Sequence, residues 1–545
     1  MEHQSLGQVQ GADEGQKPHL IQPAYLFVAA FVIYTLLLLW LAWPMSFLSD
    51  DWQLINPDSF SISKLFAANW HGVAGQGGFY RPLVMLSLHL NSLISDLYPA
   101  SFHTANVLLH ALCAAAVFFL YREIISEQNK WACGLAAFLF LVLPIHTDSV
   151  FWIAGRTDTI CALFFFLTII YYNRYLSNPT AVLLIIVTLF FWCALLSKEM
   201  AMSLPAVLII IALYKKKLFK KTTLFMLLFI LISYAAYFVI RLRVLGSFLD
   251  SPANTNISLS RIYQTVSGAL QSVFAASIYY NNIDIGIGVV LLTVLIVLFS
   301  LKNLRILRDL FFVCAMLLIT LVPVVGLVTR WYLYIPSAFA CLIVAKVWLQ
   351  SWRRKLVQST VFVASAALLV FYGAILIREG FRWRTASKIS ESTLEQVLTN
   401  LTDQQGRVFI INVPSAYLPV GTMWEKPIFA YNLDLALAIK SGRNLRASPV
   451  VVNHLLVRSD QYRISSIRRI GRLDFVTECN QFGMFSFHSP DFVSGRLIPV
   501  NTKVNTEWGR LDIISPHKLV IRISPYAGEK ILFFDGMSWH SSTNQ

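Results

Sequence analysis

The feature that most limits what this chain can fold into is a series of nearly unbroken apolar blocks, roughly 13 to 22 residues long. About 20 such residues in a helix cross the hydrocarbon layer of a bilayer. Inside that layer only helices and closed barrels satisfy their own backbone groups. By this criterion the sequence predicts spanning helices at residues 25–43, 102–121, 131–144, 159–172, 181–197, 202–214, 222–240, 285–301, 310–328, 336–350 and 356–377, eleven in all. Composition agrees. Only 13% of the 545 residues are charged and 56% are hydrophobic, against about 25% charged in an ordinary soluble domain. Residues 1–24 read as a cytoplasmic tail. They lack the basic start and small-residue cleavage site of a secretory leader, so the first helix is expected to stay in the mature protein.

The formal net charge is +15. Much of it lies in short loops between apolar blocks: "KKKLFKK" at 215–221, "KNLRILR" at 302–308 and "RRK" at 353–355. Loops of this kind face the cytoplasm, which argues against nucleic acid as the partner of the charge. Putting all three inside requires that residues 261–280 do not cross. There Ile262, Val266, Leu270, Val273 and Phe274 form one apolar stripe, with Gln264, Ser267 and Gln271 elsewhere. That pattern predicts an amphipathic helix lying in the outer interface.

This topology collects five polar clusters on the outer face: "SDD" at 49–51, "PIHTDSVFWIAGRTD" at 144–158, "SKE" at 197–199, the loop at 241–284, and "TRWYLYIPS" at 329–337. It also puts the C-terminus outside. Residues 385–545 are polar with short β-like runs such as "RVFIINV" and "HKLVIRISP", and predict an extracytoplasmic α/β or mostly-β domain. The fold class expected is therefore an α-helical polytopic membrane protein with a soluble C-terminal domain, divided near 384/385. Six of the seven cysteines lie in apolar blocks and Cys479 in the polar part, with no disulfide framework, CxxC or zinc spacing.

Several residues in these clusters are suited to chemistry. Asp50 and Asp51 are adjacent carboxylates at a membrane edge, where like charge and partial desolvation raise a pKa toward that of a general base. Solvated loop carboxylates are the plain alternative. His103, Asn106 and His110 share one helix face and suit interhelical hydrogen bonds or a substrate contact. Arg156 could fork onto phosphate oxygens or pair with an aspartate to fix its loop. Lys198, Glu199, Arg330, Tyr332 and Tyr334 suit a pocket or interfacial anchoring. A divalent cation could be held at Asp50, Asp51 and Asp148.

The motifs "DDW…NPD", "YRPLVMLSLHLN", "FHTANVLLH", "PIHTDSVFWIAGRTD", "LLSKEMAMSLP" and "RWYLYIPS", in this order, resemble the membrane core of the transmembrane and TPR-repeat-containing O-mannosyltransferases of the GT-C superfamily. The resemblance covers residues 49–384, and "REGFRWRT" resembles the segment that leaves the last helix. The sequence departs from the family at 143–148, reading Leu-Pro-Ile-His-Thr-Asp where the family has His-Pro-x-His-x-Glu, and a short domain replaces the TPR array.

The resemblance implies a GT-C-like enzyme that moves a hexose such as mannose from a polyprenyl-phosphate donor to an acceptor hydroxyl on a protein, glycan or lipid. Asp50 would be the catalytic base, with Asp51 beside it. His146, Asp148, Arg156, Asp158, Lys198, Glu199 and Arg330 would hold donor phosphate and sugar, and Tyr80, Arg81, His103, His110 and Tyr332 would line the pocket. A bacterial inner membrane, with the site on the periplasmic or extracellular side, is the expected location. A multi-pass lipid transporter or flippase is the alternative reading. The sequence shows no inverted repeat to favour it.

Overall fold

The computed structural model describes residues 23–541 apart from 57–61, 71–74, 76–77, 126–128, 248–257, 276–303, 326–328, 353–354, 403–404, 420–424, 459–463, 471–473, 482, 487–501, 507–508, 524–529 and 536–537; residues 1–22 and 542–545 also lie outside the description. The helices are α1 (Pro23–Ala42), α2 (Asp50–Leu54), α3 (Ile62–Ala67), α4 (Pro82–Ser95), α5 (Pro99–Ile124), α6 (Lys130–Val142), α7 (Thr147–Phe151), α8 (Arg156–Ser177), α9 (Ala181–Leu195), α10 (Leu204–Tyr214), α11 (Lys221–Leu245), α12 (Leu259–Ala275), α13 (Leu304–Leu321), α14 (Tyr334–Trp352), α15 (Lys355–Leu401) and α16 (Leu433–Lys440).

Ten of the eleven expected spans fall on these helices; the other, 285–301, lies outside the described residues. By length and apolarity five described helices suffice to cross a bilayer alone, and a sixth if α6 and the stretch to Phe151 form one span bent by 48°. The bend falls at Pro144, which has no N–H for a continuing helix and forces Leu143 to extended backbone. Helix α8 lies at the centre, packed against α5 and α9. Helix α11 lies at the edge, with Leu224, Phe225, Leu228, Leu231, Ile232 and Val239 exposed. So broad an apolar face suits lipid rather than water. Helix α12 matches the amphipathic segment expected over 261–280 as far as Ala275.

The C-terminal part is strand-rich, as expected. One sheet has β1 (Gly406–Ile411) parallel to both β12 (Lys530–Phe534) and β4 (Ala447–Val451), with β13 (Trp539–Ser541) antiparallel on the far side of β12. A second, antiparallel, runs in the order β6 (Ser465–Arg469), β7 (Asp474–Cys479), β11 (Lys518–Ile523), β10 (Gly509–Ser515) and β9 (Thr502–Thr506). In a third, β2 (Val413–Tyr417) runs parallel to β5 (His454–Val457) and antiparallel to β3 (Lys426–Pro427), and β8 (Gly483–Ser486) pairs antiparallel with β5.

Helix α15 joins the two parts. Its 47 residues, roughly 70 Å at 1.5 Å per residue, run through the expected boundary at 384/385. Trp383, Ala386, Leu394, Val397 and Leu401 are buried in its second half. Its Gly380 lets α1 come close, since a Cβ there would lie 2.9 Å from the Leu41 side chain. One hydrophobic core holds Phe47, Trp52, Leu54 and Ile153 together with Phe409, Ile411, Phe429 and Phe533. The first polar loop is thus packed into the base of the strand-rich domain.

Candidate active site

The two adjacent aspartates have opposite surroundings. Asp51 is fully buried. Its Oδ2 accepts from the Leu48 amide at 2.9 Å and its Oδ1 from the Ala154 amide at 2.8 Å. It therefore ties the first loop to the turn before α8, and burial is the chief force raising its pKa, to about 8. Asp50 is half-buried and accepts one long hydrogen bond, from the Ser49 hydroxyl at 3.4 Å. Burial lifts its pKa to about 6, with Ser49 and Arg81 pulling the other way. Ser49 itself sits at φ 43°, a conformation that costs a residue with a Cβ and that gathers at functional sites.

Around this loop the cations and carboxylates fall into two groups. In the first, Lys198 Nζ lies 2.5 Å from Asp158 Oδ1, and Arg81 and Arg241 meet the two oxygens of Glu199 at 2.8 and 3.5 Å. Lys198 also lies 4.7 Å from the centre of the Tyr332 ring, and the Arg81 guanidinium 4.0 Å from that of Phe79. In the second, Arg330 forks onto Asp148 at 2.6 and 3.0 Å and lies 3.5 Å from Glu379. Glu379 binds Arg382 at 2.5 Å and Lys426 at 2.6 Å. Each group joins three cationic side chains to two carboxylates, leaving positive charge in excess. Such an excess in a desolvated place attracts an anion.

Other expected site residues have structural partners. Arg156 is buried, with Nε on Asn106 Oδ1 at 2.7 Å and Nη2 on the Phe102 carbonyl at 2.8 Å and Asn91 Oδ1 at 2.9 Å. It stitches α4, α5 and α8 together. These partners match the fixing role expected as the alternative to a phosphate contact. His146 bridges the Phe140 carbonyl at 2.9 Å and Ser337 Oγ at 2.8 Å, while His110 bridges the Tyr334 hydroxyl at 2.6 Å and the Leu141 carbonyl at 3.1 Å. His103 faces the Ser46 carbonyl at 3.4 Å. His110 and His146 join helices to one another, and His103 joins α5 to the first loop. The Tyr80 hydroxyl donates to the Phe66 carbonyl at 3.2 Å.

Among the described residues no three His, Cys, Asp or Glu side chains are arranged to hold a metal ion. Asp51 and Asp148 face amides and Arg330, so the trio Asp50, Asp51 and Asp148 does not fit a divalent cation. Beside Arg81 a narrow cleft is lined by Lys64, Asn69, Trp70 and Met85.

Sequence reasoning missed Arg241, Glu379, Arg382 and Lys426 as site residues. A glutamate set among arginines in "REGFRWR" was the available signal for Glu379 and Arg382. For Lys426 there was none, because its partner belongs to a different part of the chain.

Together these features define a polytopic, helical membrane protein with buried ion groups at the junction with a strand-rich domain. No family model matches the chain. Among curated proteins it is similar to protein O-mannosyl-transferases: 38% identical to human TMTC2 over 104 residues, which is 19% of this chain and 12% of that one. It is 35% identical to human TMTC1 over 98 residues, 18% of this chain and 11% of that one. It is 33% identical to Drosophila melanogaster Tmtc2 over 135 residues, 25% of this chain and 13% of that one. The chain thus spans only about an eighth of the length of the curated relatives it matches. These matches agree with the resemblance read from the motifs. Among solved structures, ArnT from Cupriavidus metallidurans bound to undecaprenyl phosphate covers 78% of this chain and 89% of its own, at 12% identity and a TM-score of 0.41.

Proposed function

We propose that the protein is a glycosyltransferase that moves a hexose such as mannose from a polyprenyl-phosphate donor to an acceptor hydroxyl on the extracytoplasmic face of the membrane. The observation that carries this reading is Asp50: a half-buried carboxylate within electrostatic reach of Arg81, at the edge of a group with surplus positive charge. The names of the matched relatives support glycosyl transfer as the reaction class.

In this reading the acceptor oxygen attacks the anomeric carbon as Asp50 takes its proton. The bond from that carbon to the lipid-phosphate oxygen breaks, and the electron pair leaves with the phosphate. The leaving phosphate gains negative charge, which the Arg81–Lys198–Arg241 group offsets. Attack opposite the leaving group inverts the anomeric centre. A base with a pKa near 6 is largely ionised at neutral pH yet still basic enough to assist.

The test is transfer of labelled mannose from polyprenyl-phosphate mannose by the full chain in lipid nanodiscs. Asp50→Asn should lower turnover about 100- to 10,000-fold while leaving the melting temperature near that of the native chain. Native turnover in Asp50→Asn would remove Asp50 from the role of base, and no transfer by the native chain to any protein, glycan or lipid acceptor would remove the donor class.

A further inference from the structure

Besides apolar packing and the Arg443–Asn56 hydrogen bond at 3.2 Å, the strand-rich domain holds the first loop by a short stretch of backbone beside Asp50. The Ser49 amide, one residue before Asp50, donates to the Ile428 carbonyl at 2.7 Å. Ile428 is held in its own sheet region: its amide donates to the Ser415 carbonyl at 2.8 Å, and that of Phe429 to the Pro414 carbonyl at 3.0 Å. Two residues earlier stands Lys426, fully buried, with Nζ 2.6 Å from Glu379 Oε2. Glu379 in turn lies beside Arg330, which forks onto Asp148. Three consecutive residues therefore connect the backbone of the Asp50 loop to the second ion group. An apolar residue would fill that place at lower desolvation cost than an ammonium, so closing a two-residue β3 does not account for the lysine.

We infer that Lys426 is a positioning residue for the proposed transfer: by binding Glu379 it fixes the backbone that holds Ser49, and so sets where the Asp50 carboxylate stands. The inference rests on Asp50 being the base, and Lys426 acts through Ile428 and Ser49 rather than on substrate. The groups that face it are Glu379, Arg330 and Asp148 from the membrane part, Arg382 by way of Glu379, and Glu425 beside it in the chain. Burial lowers the Lys426 ammonium to about 8, with Glu379 opposing. Its grip on Glu379 therefore weakens as pH rises through about 8.

The experiment compares the native full chain with Lys426→Met, Lys426→Arg and Asp50→Asn in nanodiscs, using polyprenyl-phosphate mannose as the probe. It reads kcat and KM against pH, and hydrogen exchange over residues 46–52. Lys426→Met should lower kcat on the order of 100-fold, the cost of misplacing a catalytic group by about 1 Å, with KM for the donor little changed and faster exchange over 46–52. Lys426→Arg should restore most of kcat and move the alkaline limb upward from about 8, because a guanidinium does not titrate there.

Native kcat and native exchange in Lys426→Met would overturn the inference. So would an alkaline limb that stays near 8 in Lys426→Arg, a result that decides the matter even if the Met variant does not fold. Native turnover in Asp50→Asn would instead defeat the role of the base, while the exchange data would still report whether Lys426 holds the loop.

Discussion

Asp51 turns its carboxylate inward onto the amides of Leu48 and Ala154, whereas Asp50, one residue earlier, stands half-buried within electrostatic reach of Arg81. Neighbours in sequence thus have different tasks. Asp51→Ala leaves two buried amides without an acceptor, at about 1–3 kcal/mol each. Its melting temperature should fall well below that of Asp50→Ala, by differential scanning fluorimetry in detergent. Equal melting of the two variants would contradict the division of labour.

The pH dependence of transfer follows from Asp50. In the proposed reaction the ionised form is the base, and burial raises its pKa to about 6. Turnover should therefore rise with pH through about 6 and fall tenfold per unit below it. Stability has the opposite sign. A folded-state pKa above the unfolded value near 3.9 means that the folded chain binds more protons between about pH 4 and 6, so this group's contribution is lost as pH rises through that window. A pH–rate profile without an acid limb between about 5 and 7 would remove this role.

Asp148 and Arg330 are 182 positions apart and joined by two hydrogen bonds inside the protein. Removing Asp148 takes away the forked acceptor of Arg330 and leaves it the longer 3.5 Å contact with Glu379, and breaking a buried pair costs up to about 3–5 kcal/mol. Asp148→Leu should be strongly destabilised, and the double variant Asp148→Leu with Arg330→Met should recover part of the loss. Melting curves for the single and double variants measure the coupling, which additive losses would refute.

Gly155 touches backbone. A Cβ there would meet the Asp148 carbonyl oxygen at 2.5 Å and the Ser149 Cα at 2.6 Å. Gly155→Ala should therefore push α7 away from the start of α8, with about 1–3 kcal/mol of overpacking. A native melting temperature in this variant would show that the turn relaxes freely.

Arg156 supplies a test that separates structure from donor binding. Its nitrogens are engaged by Asn106, Asn91 and the Phe102 carbonyl. Arg156→Lys loses the planar fork and should melt lower by about 1–3 kcal/mol equivalent, while KM for polyprenyl-phosphate mannose stays near native. A KM raised tenfold at unchanged stability would instead place this residue at the donor phosphate.

The sequence by itself determined the helices and the class. Apolar blocks long enough for a bilayer must satisfy their backbone internally, and ten of the expected spans are helical for that reason. It also marked the polar stretches that would matter, because charge next to lipid is costly unless it has a use. Only the tertiary structure decided the partners. Lys198 pairs with Asp158 across 40 positions and Lys426 with Glu379 across 47. Hydropathy carries no information about which buried cation meets which carboxylate, or that Arg156, His110 and His146 hold helices together. Those choices follow from how the helices pack and from α15 carrying the strand-rich domain back onto the first loop, and ion pairs inside a protein form only where packing brings both charges out of water together.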